Sequence, residues 1–186
     1  MKRAIVAPPA LSPAALTELK SWLGISTTGD DAELGALIKV ALELCEGFTG
    51  TMPLQAGCEE ILPASGEWQT LGTRPVQAIT GVAALDAQGA RTTLSAAAYG
   101  IDLDADGGGM VRLRQPIDQS RMVVQFTAGM ASEWADLPEA IRHGVMRLAA
   151  YQHRERDAET TRTGTTGNPP AAVAALWRPW RRMRLA

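Results

Sequence analysis

Apolar residues change their spacing twice along this chain, and that switch restricts the fold more than any other feature. Between Asp30 and Phe48, the residues Leu34, Leu37, Ile38, Ala41, Cys45 and Phe48 form a stripe of helical period. Gly47 and Gly50 bracket its exit. Upstream, Ser12 and Pro13 supply an N-cap and first-turn pair, Leu16, Leu19 and Leu23 share one face, and Gly24 ends the run. The polar loop STTGDD joins the two, so they are expected to pack as a helical hairpin. Over 52–130, Gly, Pro, Thr and Val punctuate short runs instead, predicting strands at 59–62, 67–71, 76–85, 99–103, 110–114 and 122–127. DAQG and DADGGG lie between them as turns, the second closing a hairpin of 99–103 with 110–114. Helical spacing returns after Pro138 with Ile141, Val145, Leu148 and Ala149, and runs to about Asp157.

The expected fold is therefore α+β, with a helical bundle from the N- and C-terminal parts and an antiparallel β-rich insertion. The corresponding boundaries are 1–51 for the N-terminal helical part, 52–130 for the insertion and 131–158 for the helical part that completes the bundle. A flexible linker and tail follow at 159–186, because AETTRTGTTGNPP is polar and breaker-rich. A short helical piece around 171–176 is expected to carry the tail.

The tail, LWRPWRRMRLA, is the outlier. The chain has 186 residues and a formal net charge of −2, yet four arginines give its last ten residues +4 and leave −6 for the rest. Such asymmetry marks an interaction tail and argues against a generally basic nucleic-acid binder. Only Cys45 and Cys58 occur, which fits a reducing compartment and gives no disulfide framework. The N-terminal stretch meets prolines within a few residues and has no sustained apolar run, so neither a signal peptide nor a membrane span is expected.

Motifs for catalysis or metal binding are weak. DLDADG at 102–107 matches the opening of a calcium loop, but the twelfth position, which should be a bidentate Glu, is Leu113, and both flanks read as strands. A solvated acidic hairpin turn is the better reading. His143 and His153 lie ten apart on one predicted helix and so on different faces. Glu59 and Glu60 are neighbours in a predicted strand and point to opposite sides. No GxSxG elbow, HExxH helix or Walker loop occurs, and GTTG lacks the Lys-Ser/Thr of a phosphate cradle. No enzymatic activity and no cofactor are expected.

For the tail, one alternative is a solvated end whose tryptophans fold back on their own domain. Against it, Trp and Arg are the residues most enriched where partners are gripped. A DNA-binding accessory role, with arginines on phosphates, is a further alternative.

Three segments, in order, carry a resemblance. LTELKSWLGI followed by DDAELGALIKVALELCEGFTG resembles the opening of the phage head–tail connector family, the adaptors of tailed phages and gene transfer particles. Asp30, Asp31, Leu34, Ile38, Glu46, Phe48, Thr49 and Gly50 match its aspartate-led helix ending near an aromatic and "TG". LPEAIRHGVMRLAAYQHRERDA resembles the later helix, with His153–Glu155 in its polar end, and LWRPWRRMRL resembles the ending of longer members. The resemblance implies a structural protein of the virion neck between head and tail, assembled in the host cytoplasm. It further implies a homo-oligomeric ring, commonly dodecameric, under the portal, which extends the conduit for double-stranded DNA. The next neck protein (stopper) or a tail component would bind below. Trp177, Arg178, Trp180, Arg181, Arg182 and Arg184 would then be the portal-binding residues.

Overall fold

The structure is a computed structural model in which residues 3–157 and 169–181 are described. The chain divides into two compact units, Met1–Pro9 with Gln55–Met130 and Ala10–Leu54 with Ala131–Ala186.

The second unit is helical, built from α1 (Pro13–Leu23), α2 (Asp31–Thr49), α3 (Glu139–Asp157) and α4 (Ala171–Trp177). Ser12 caps α1 as expected, its side chain accepting the Ala14 N–H at 3.2 Å. Lys20, in the last turn of α1, donates to Asp31, in the first turn of α2, at 2.6 Å. Each charge also faces the helix end whose dipole it complements. The pair closes the expected hairpin. At the far end of α2, Gly50 takes φ 73° and donates its N–H to the Glu46 carbonyl, a left-handed cap that glycine adopts without strain. Thr49 turns its hydroxyl back onto the Cys45 carbonyl at 2.8 Å. The apolar stripes meet as their periods require. Leu19, Leu34, Ile38, Ala41, Cys45, Ile141, Val145 and Ala149 are all fully excluded from water, whereas Leu37 and Phe48 are half-buried. Burial pushes the Cys45 thiol up to about 12, so it stays protonated and serves as packing.

The first unit holds two antiparallel sheets. Its strands are β1 (Arg3–Ala7), β2 (Ala56–Pro63), β3 (Gln69–Thr70), β4 (Val76–Leu85), β5 (Arg91–Thr93), β6 (Tyr99–Leu103), β7 (Gly109–Leu113) and β8 (Arg121–Ala128). Five run in the order β1-β2-β8-β4-β5, and three in the order β3-β7-β6. All six expected strands are present, divided between the two sheets. Two further strands join them. β1 lies in the segment assigned to the N-terminal helical part, so the boundary at 1–51 is corrected: RAIVA is too short, and too quickly cut by Pro8 and Pro9, to declare itself alone. β5 is three polar residues and has no periodicity to read.

The neighbouring glutamates of β2 do point apart. Glu60, only 1% exposed, accepts the Gly72 N–H at 2.8 Å, the Thr73 N–H at 2.9 Å and the Thr73 hydroxyl at 2.7 Å. Glu59 accepts from Arg91 at 2.8 Å and from Gln125 at 3.0 Å. These two bonds, Arg91 first, hold its carboxyl below the usual carboxylate range. A depressed folded pKa means the stabilisation is complete above the unfolded pKa and is lost as pH falls through the folded value. Glu59→Gln should therefore cost about 1 kcal/mol at neutral pH, since Arg91 is half-exposed, and nothing at low pH. Urea unfolding midpoints of the two proteins should converge on acidification, and a constant gap would contradict this.

The acidic stretch at 102–107 closes the β6–β7 hairpin. Asp104 accepts the Gly108 N–H on Oδ1 at 2.6 Å, and its own N–H donates to the Gly108 carbonyl. Its role is that of a turn.

Candidate functional site: the C-terminal arm

The arm begins with α4, whose sequence AAVAALW is rich in strong helix formers and follows Pro169 and Pro170. Val173 and Trp177 are four apart and so share one face. They are 2% and 0% exposed. The indole enters against α3 where Gly144 has no side chain, and a Cβ built there would overlap it. Its Nε1–H points to the Ile141 carbonyl at 3.4 Å, a long bond that still gives the buried donor an acceptor. The Phe48 ring lies 6.1 Å from the Trp177 ring at a tilt of 48°. α2 therefore ends in a structured patch, with Phe48 packing on the arm while Thr49 and Gly50 close the helix.

Beyond Trp177 the chain makes a single 3-10 turn, Arg178–Trp180. Pro179 ends the α-helix because it has no N–H to continue the ladder. Arg178, Trp180 and Arg181 are exposed. Trp180 keeps 38% of its surface accessible, and the Arg181 guanidinium sits 5.5 Å over the Phe48 ring. Arg178 and Arg181 border a cleft with Glu43, Leu44, Gly47 and Phe48 of α2.

The six residues expected to bind the portal are thus divided. Trp177 is a core residue of its own helical unit, 0% exposed, and is the root of the arm. Arg178, Trp180 and Arg181 form an outward-facing tip. Arg182 and Arg184 lie outside the described residues, as does the linker at 159–168. The short helical piece expected around 171–176 is α4, Ala171–Trp177. Phe48 and Gly144 were the residues missed as parts of this site. A glycine in the middle of a strong helical pattern is a signal of close approach, and here the approaching group is Trp177.

The histidines do not converge. His143 is exposed and meets Trp22 edge-on at 5.0 Å, while His153 is half-buried. Among the described residues no group of three or more His, Cys, Asp or Glu is placed to hold a metal. Among those residues, too, no helix is long and apolar enough to cross a membrane.

Fold and arm together define an α+β protein with a β-rich unit inserted in a helical bundle, ending in a rooted aromatic-cationic tip. A model of the head completion protein family matches residues 14–168, and the chain belongs to that family. No curated protein matches it. Among solved structures, it is similar to a chain from the neck of an empty gene transfer agent particle computed with C6 symmetry. There the identity is 27% and the TM-score 0.77, over 100% of this chain and 98% of that one. A chain from the neck of a native particle computed with C12 symmetry aligns at 26% identity and TM-score 0.73, over 98% and 97%. A third, from the virion of a native gene transfer agent particle, shares the fold at 24% identity and TM-score 0.75, over 100% and 98%.

Proposed function

We propose that this chain is a structural head–tail connector of a virion neck, acting by docking and not by catalysis. It assembles as a homo-oligomeric ring, twelvefold, beneath the portal, extends the conduit for double-stranded DNA, and receives the next neck protein or a tail component. Family membership and the likeness to neck proteins support the connector role.

The portal-binding role rests on one observation: the arm is rooted through Trp177 and turns Arg178, Trp180 and Arg181 outward. An anchored root lowers the entropy lost when the tip is gripped. An exposed indole flanked by guanidinium groups suits a pocket with an apolar floor and an acidic rim. Twelve modest contacts act together, so no single tip needs high affinity.

The test is co-sedimentation with portal of the full chain and of a chain ending at Trp177, which keeps the root and removes the tip. The shortened chain should fold normally and fail to co-sediment. Equal attachment would show that the tip is not the anchor. Trp180→Ala should weaken attachment roughly tenfold or more while leaving unfolding unchanged, and an unaltered affinity would count against the proposal. Binding should also persist from low to moderate salt. A steep loss, with retention on DNA, would favour phosphate recognition.

A further inference from the structure

Two strand edges of the β-rich unit stand out. β1 and β6 are both edge strands, each five residues long, and the other two edges, β3 and β5, have two and three residues. All of β1 is exposed, including Ile5 at 43% and Val6 at 57%, which as consecutive residues face opposite sides of the strand. In β6, Ile101 and Leu103 share one side and are 48% and 42% exposed. Natural sheets guard long apolar edges with charge, proline or a bulge, and between Ala4 and Ala7 β1 has neither charge nor proline. Its irregularity, between Ile5 and Ala7, is in the pairing with β2 and leaves both Ile5 and Val6 accessible.

The edges lie on different sides of the unit. β6 approaches β4, and β8 and β2 stand between β4 and β1. A closed ring needs this arrangement, because rotational symmetry joins two different surfaces of each copy, whereas one self-complementary edge gives a dimer. Antiparallel alignment that sets Ile5 opposite Ile101 also sets Arg3 opposite Leu103, on the same side of the sheet.

We infer that β1 of one copy pairs with β6 of the next copy of the same chain, so that the β-rich units form a continuous belt through the assembly. This rests on the ring reading above and names its contact. Backbone hydrogen bonds would give the belt its strength, and the Ile5–Ile101 contact its register.

The test uses the full chain assembled on portal, carrying Ile5→Cys and Ile101→Cys together or singly, with a short bis-maleimide. Both sites are exposed, so folding is preserved, and the native Cys45 and Cys58 are buried. Sedimentation of the assembly before cross-linking reads ring formation separately. The double variant should give a ladder of covalent multimers beyond the dimer on denaturing gels, and neither single variant should. A ring of normal size without the ladder would overturn the β1–β6 contact and leave the ring reading standing. Dimers from Ile5→Cys alone would show β1 pairing with itself, which also overturns it. Absence of any ring would remove both readings.

Discussion

Trp177→Ala is expected to destabilise the helical unit by about 3–5 kcal/mol, the range for emptying a fully buried aromatic site. The indole is 0% exposed, seated over Gly144 and beside Phe48, so its loss leaves a cavity that α3 and α2 cannot fill. α4 has seven residues, too few to stay helical without tertiary support. The variant should therefore free the whole arm. Urea unfolding followed by far-UV circular dichroism measures the first effect, and limited proteolysis around residues 171–181 measures the second. Gly144→Ala attacks the same contact from the other side. A methyl group at that position overlaps the ring, so the arm should detach although alanine is the better helix former. A loss below about 0.5 kcal/mol for either variant, the range of ordinary surface changes, would mean that Trp177 does not root the arm.

Glu60→Ala should be as damaging in the β-rich unit, also at about 3–5 kcal/mol. One carboxylate there satisfies two backbone N–H groups and one hydroxyl, of Gly72 and Thr73, at a site 1% exposed. Removing it strands the Thr73 N–H and hydroxyl in a dry environment, while the Gly72 N–H, on an exposed residue, can turn to water. Glu60→Gln keeps one acceptor oxygen but turns an amide NH2 toward groups that are themselves donors, so its cost should lie between. The contrast with the adjacent Glu59, where substitution should cost about 1 kcal/mol, follows from the partners: Glu59 pairs with the half-exposed Arg91, whereas Glu60 holds the buried donors of Thr73. Equal losses at the two positions in urea unfolding would contradict that account.

The helices were legible because their punctuation was complete. Ser12, Gly24, Gly50 and Pro138 stand where caps and first turns need them, and the observed bounds of α1, α2 and α3 fall within a residue or two of expectation. The longer strands were legible for a similar reason, with β4 and β6 matching residue for residue. β1 was not, because a five-residue run becomes a strand only by pairing with β2, a partner about fifty residues away. No local pattern encodes that pairing. The division of the arm is the instructive miss. Its two tryptophans look alike in composition, but Trp177 continues the Val173 face and Trp180 follows the helix-breaking Pro179. Reading the tail by residue type grouped them, and reading it by helical spacing would have parted them. Resemblance contributed the family, which a match over residues 14–168 shows, and the assignment of the tail to the portal, which is a proposal.

One image of the assembled neck tests the central claim most directly. The account predicts density for Trp180 and the neighbouring arginines inside a groove of the portal, with Trp177 still seated on Gly144 of its own subunit. Trp180 facing solvent in every copy, with the portal held by some other surface, would contradict it.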